Sequence, residues 1–137
     1  MSQAIAVATD RAPAKRDFPT QLDAYEPQIK AALPEHISVD RFKRVVLTAV
    51  NQTPDLLDAD RATLFNSAVK CAADGLVPDG REAALVVFKT KKDGQFVKAV
   101  QYMPMVRGLV KLARQSGDIS AVSAHIVYEN DQFEYVL

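Results

Sequence analysis

Cysteine is nearly missing from this chain: Cys71 is the one thiol among 137 residues. A single thiol excludes an internal disulfide framework and fits a reducing compartment. Long apolar runs are missing as well. No stretch approaches the roughly 18 residues of a membrane-spanning helix, and the opening MSQAIAVATDRAPAKRD lacks the apolar core of a secretory leader. These absences predict a cytoplasmic protein with no membrane partner. Net charge is zero, with 17 Lys and Arg against 17 Asp and Glu, so no global field points to nucleic acid or membrane. Histidine is scarce. His36 and His125 are far apart and outside metal-ligand spacing. No Ser-His-Asp or Cys-His arrangement is visible, and DGLVPDG matches neither a phosphate-binding loop nor a dinucleotide fingerprint. The parts of a catalytic site are lacking, so the chain is expected not to be an enzyme.

What is present is the material of a core. Hydrophobic residues make up 48% of the chain, the content of a globular protein, and the length allows one domain or part of one. Residues 1 to about 20 are rich in Ala, polar and charged residues with no sustained period, which predicts a mobile arm. A short helix is expected from Gln21, kinked at Pro27 and ended by Pro34. SVDRFKRVVLTAVNQ predicts a second, capped by Ser38 or Asp40, with Phe42, Val45, Val46 and Ala49 on one face. A third begins near Asp58 or Asp60. Its buried stripe is Leu64, Phe65, Ala68, Val69 and Ala72, with Cys71 at the edge as a core thiol and Gly75 at the left-handed end position.

Then the period shortens. EAALVVFKT and QFVKAVQYM alternate like strands, and Asp93-Gly94 between them is a hairpin signal. YMPMVRGLVKLARQSG follows, expected to be an amphipathic helix with Pro104 in its first turn and Gly117 past its last. AVSAHIVYEN and FEYVL are expected to make a second strand pair. The fold class is therefore α+β: helices first, then a β-β-α-β-β core. FEYVL has the look of a strand cut short, and a two-stranded ribbon is marginal alone. Residues 21–137 are expected to be the first part of one domain, incomplete at its C-terminus.

The neutral total hides a separation of charge. From Lys89 to Arg114 the cations are Lys89, Lys91, Lys92, Lys98, Arg107, Lys111 and Arg114, and the one anion is Asp93. The following segment, with Asp118, Glu129, Asp131 and Glu134, is acidic. At about 100° per residue, Arg107, Lys111 and Arg114 fall within about 60° of one another. Val106, Leu109, Val110 and Ala113 fall on the opposing side, and Gly108 flanks the cationic stripe. Glycine in mid-helix costs about 1 kcal/mol relative to alanine. Two readings of Gly108 stand: it lets a phosphodiester backbone approach, or it makes room for another element of the fold. The stripe itself suits a binding face or an ordinary solvated one. On the hairpin, Lys89 and Lys91 share a side, and Lys98 lies with Tyr102. Cations interleaved with aromatics suit a single-strand binder, although Phe96 and Tyr102 also suit a core. Glu129, Asp131 and Glu134 make a polar turn or a site for a hydrated cation.

CAADGLVPDGREAALVVF followed by VQYMPMVRGLVKLARQSGDISAVSAHIVYENDQFEY resembles the RecT family of phage and prophage recombinases. The similarity runs from about Phe42 to the C-terminus, and GLVKLARQSG with YENDQFEY is its most specific part. The resemblance implies an ATP-independent protein that binds single-stranded DNA, anneals complementary strands and holds the annealed duplex. It implies self-association into rings or filaments and a phage-type 5′→3′ exonuclease as partner. It implies no required cofactor, with Mg2+ at most a modulator, and a fold distantly similar to eukaryotic strand-annealing proteins. DNA contacts are then expected from Lys98, Arg107, Lys111 and Arg114, next from Lys89, Lys91 and Lys92, and also from Tyr102 and Gly108. Members of the family continue past this block, so an incomplete groove is expected here. The competing readings are a module docking an acidic partner through the basic helix face, and a metal enzyme using the acidic turn.

Overall fold

The computed structural model describes residues 18–134. Residues 1–17 of the expected arm and residues 135–137 of the expected last strand lie outside the described residues; residues 18–20 of that arm are helical instead. The elements are α1 (Phe18–Ala24), α2 (Glu26–Ala32), α3 (Val39–Gln52), α4 (Asp55–Asp58), α5 (Arg61–Ala73), β1 (Ala83–Lys92), β2 (Gln95–Pro104) and α6 (Val106–Gln115). The class is α+β, as the periods predict.

Local chemistry sets most of the boundaries. The kink expected at Pro27 is a break at Tyr25, which leaves Pro27 in the first turn of α2, where a missing N–H costs nothing. The Ser38 hydroxyl accepts from the Arg41 N–H and starts α3; the Asp60 carboxylate accepts from the Ala62 N–H and starts α5. Gly75 lies just past α5 with φ of 68°, a conformation that favours glycine.

α5 is the centre of the packing. Leu64, Phe65, Ala68, Cys71 and Ala72 are buried, facing Leu22 and Ile29 on one side and Ala83, Leu85 and Val100 of the strands on the other. The Phe65 ring lies between Phe18 and Tyr25, with centroids 5.6 and 4.2 Å away and near-parallel planes. Cys71 is a core thiol. It is fully buried and donates to the Leu76 carbonyl at 3.3 Å. Burial, with nearby Asp74 next, pushes its pKa up to about 12.

β1 and β2 form an antiparallel ribbon joined by Asp93 and Gly94, both at positive φ (50° and 83°), as a two-residue hairpin loop requires. The register pairs Leu85 with Tyr102, Val87 with Val100, Lys89 with Lys98, and Lys91 with Phe96, so these residues share one face. The base of that face is buried on α5; its tip is exposed. Side chains of α5 close the outer edge of β2. The Val100 N–H donates to Thr63 Oγ1 at 2.9 Å, and Ser67 Oγ donates to the Val100 carbonyl at 3.0 Å. Opposed residues of an antiparallel pair turn their backbone groups either both toward or both away from each other; with those of Val100 on α5, Leu85, Val87, Lys89 and Lys91 point theirs out from β1. Among the described residues nothing hydrogen-bonds to them. The edge of β2 is closed at its middle, and that of β1 is open from Leu85 outward.

Two expectations need correction. Pro104 is not in the first turn of a helix; it ends β2 opposite Ala83, and Met105 precedes α6. Among the described residues no second strand pair forms: residues 121–134 join no ladder, and every described residue from 114 onward is exposed. A strand exists only through a partner's hydrogen bonds, and no described element offers one here. No helix of the described residues is long and apolar enough to cross a membrane.

Candidate nucleic-acid interface

Glu82 sets the position of α6. In the loop before β1, the Asp79 carboxylate accepts from the Arg81 and Glu82 N–H groups, both at 2.8 Å, and fixes that turn. The Glu82 carbonyl then accepts from the Met105 N–H at 2.9 Å, and its carboxylate takes Lys111 Nζ at 2.8 Å. Lys111 also donates to the Gly75 carbonyl at 3.3 Å. Gly108 sits against this hub. A Cβ there would lie 2.1 Å from the Glu82 carbonyl oxygen and 2.9 Å from Leu76 Cδ1.

That contact answers the question Gly108 poses. Its missing side chain admits the backbone of this same chain, because the space beside it is filled by Glu82 and not open to a phosphate. The helix is turned accordingly: Gly108 and Leu112 face inward, while Val106 and Leu109 of the apolar side are 76% and 53% exposed. Lys111 is likewise not a free cation of the stripe; half-buried, it holds the helix to the body. Arg107 and Arg114 are exposed and make no ion pair with a described residue. With Val110, Lys111 and Gln115 they line a shallow depression of about 470 Å³.

The second group of cations is at the tip of the hairpin. Lys89, Lys91 and Lys92 are exposed there. Lys98, directly across from Lys89, has one counter-charge, Asp55 at 3.3 Å, in an exposed pair that contributes little to stability. Phe96 lies on the same face, 76% exposed. Of its two sequence readings, core and platform, the core one fails, because the ribbon extends past the helices that would cover the ring. Lys89, Phe96, Val97 and Lys98 line a depression of about 510 Å³. Tyr102 is no free platform. It is half-buried at the base and donates to Asp74 Oδ2 at 2.8 Å. Burial first, then that bond, holds its pKa above the ordinary phenol range.

The predicted site residues therefore do not meet in one pocket. Lys98 and the start of α6 are separated by six residues of strand, about 20 Å at 3.3 Å per residue. Sequence reasoning missed Glu82, Asp74 and Asp55, the anions that hold Lys111, Tyr102 and Lys98. Each acts across 28 or more residues, beyond the reach of local periodicity. The acidic turn shows an ordinary turn bond, the Tyr128 N–H donating to Asp131 at 2.9 Å. Among the described residues no three His, Cys, Asp or Glu side chains converge as a metal site would need.

Comparison with known proteins sets this geometry in a family. Protein RecT of Escherichia coli (strain K12) is 34% identical over 110 residues, which cover 79% of this chain and 41% of that relative. The chain thus spans about two-fifths of the length of the curated relative it matches. No solved structure matches it. The model of the RecT family matches residues 40–137, taking in the hairpin, α6 and both groups of cations, and the chain belongs to that family.

Proposed function

We propose that this chain binds single-stranded DNA through its backbone and promotes annealing of complementary strands in phage-type homologous recombination, without ATP. The observation that carries the reading is the Lys89–Lys98 pair with Phe96 beside it. Like charges directly opposite across a ladder are destabilising, and a ring left three-quarters in water gains nothing from the core. A phosphate between the lysines relieves the repulsion, and a base stacked on the ring covers it. Arg107 and Arg114 then hold phosphates farther along the strand, with Lys91 and Lys92 at the tip. Lys111, Gly108 and Tyr102 act indirectly, by fixing the helix and the hairpin base. Contacts to phosphates leave base edges free to pair with a second strand, and duplex formation supplies the free energy. No cofactor is needed, and Mg2+ modulates binding by competing for phosphates. Membership in the RecT family supports the reading, which extends to self-association in rings or filaments and to a 5′→3′ exonuclease that supplies the single strand.

The test is fluorescence anisotropy of a labelled oligonucleotide with this chain across a salt series, followed by addition of the complement. Six contacting cations hold five phosphates, one of them shared by Lys89 and Lys98, and so predict a log–log salt slope of about −3.5, from about −0.7 per phosphate on single strands, and faster duplex formation than in buffer alone. Binding that ignores salt, or that follows one base sequence, would overturn the proposal.

A further inference from the structure

β1 has an open edge from Leu85 outward, and the same chain carries a strand-like segment that joins no ladder among the described residues. Over residues 121–128, AVSAHIVY, the side chains Val122, Ala124, Ile126 and Tyr128 alternate with Ala121, Ser123, His125 and Val127. This is the two-residue period of a strand with one apolar face. Every residue of it is exposed, with Ile126 at 78% and Tyr128 at 67%, and it joins no ladder. On the other side, Leu85, Val87, Lys89 and Lys91 hold their backbone groups out from β1, unpaired among the described residues. An edge and a strand that do not meet within one copy are free to meet between two.

We infer that the open edge of β1 is a subunit contact whose occupant is residues 121–128 of a second copy of this chain, added as a parallel strand. Charge argues for that occupant and that direction. Lysine on an edge strand ordinarily guards against pairing, and here the guard is confined to Lys89, Lys91 and Lys92 at the distal end; Ala83–Phe88 carries no charge. A parallel segment sets residues 123–126 along Leu85–Phe88, beyond the Ala83 carbonyl that accepts from the Gly80 N–H, and brings Glu129 and Asp131 to the lysines at the tip. The contact is heterologous, since one surface of each copy meets a different surface of the next, and such contacts generate rings when they close and filaments when they do not. The inference deepens the self-association in the proposed function, and its test needs no DNA, so its failure leaves the annealing test untouched.

Disulfide trapping distinguishes the outcomes. Phe88→Cys is placed in one copy, and Ser123→Cys, Ala124→Cys, His125→Cys or Ile126→Cys in another; the native Cys71 is buried and serves as an unreactive background. Under mild oxidation, mixtures are expected to give covalent dimers whose yield alternates along 123–126 with a period of two, differing several-fold between neighbours. A chain carrying both changes is expected to give a ladder of multimers. A cross-linked monomer from the double variant would show the segment folding onto its own edge and would overturn the inference. So would dimers from Phe88→Cys alone, a flat yield along the segment, or no cross-link at all. Glu129→Lys with Asp131→Lys is expected to lower the yield, and adding Lys91→Glu and Lys92→Glu to the other copy to restore it.

Discussion

Phe65 and Phe96 are the same side chain with opposite surroundings, and each stands for its half of the molecule. Phe65 is buried between two rings in the helical half; Phe96 is 76% exposed at the tip of the hairpin. The helical half closes on itself, with its large apolar residues inside and its charges outside. In the half made of β1, β2 and α6, the apolar residues Phe96, Val106 and Leu109 lie in solvent, next to Lys89, Lys98 and Arg107. Both halves carry large apolar residues. What separates them is where the covering elements end: α5 reaches only the base of the ribbon. A packed base carrying an uncovered, cationic tip is suited to holding something other than itself.

Removing the side chain that fills the helical half should have the largest effect. Phe65→Ala is expected to cost about 3–5 kcal/mol, read from denaturant unfolding, and a change under 1 kcal/mol would contradict the contrast. Gly108→Ala comes next, because its Cβ meets a carbonyl oxygen. A loss of about 1–3 kcal/mol is expected, with α6 amides exchanging faster than those of α5; an unchanged exchange pattern would mean the helix is docked elsewhere. Arg107→Glu with Arg114→Glu is expected to weaken oligonucleotide binding at least tenfold, about 1.4 kcal/mol, with circular dichroism unchanged. Phe96→Ala should cost binding about 1 kcal/mol through a lost stack and stability no more than about 0.5 kcal/mol. A large stability loss would return Phe96 to the core. Smallest is Asp55→Asn, at most about 1 kcal/mol of stability for an exposed pair, with binding slightly tighter because Lys98 is released.

The sequence made the local features legible. Asp93-Gly94, the alternation on either side of it, a cap at Ser38 or Asp40 and another at Asp58 or Asp60, and the buried stripe of α5 all follow from short-range rules. The seven cations were legible as a group, but not which of them are free. That depends on Glu82 and Asp55, 29 and 43 residues from their partners. Gly108 shows the same limit. A helical wheel puts it beside the cations, and only the tertiary approach of Glu82 reveals what it faces. The last strand pair was legible as a pattern, yet a pattern of alternation does not supply the neighbour that a ladder requires.

The bonds from Thr63 and Ser67 to Val100 have a bearing on the hairpin itself. A ribbon with an uncovered tip is prone to slip, and a slip of one residue turns every side chain to the wrong face. Here the turn fixes alignment from one end and two hydroxyls of a helix fix it from the side, at the middle of β2. Lengthening or shortening β2 between the turn and Val100 by one residue would satisfy one of these and break the other. The opposition of Lys89 and Lys98 is thereby doubly held: the chain keeps two like charges face to face by leaving them no alternative alignment.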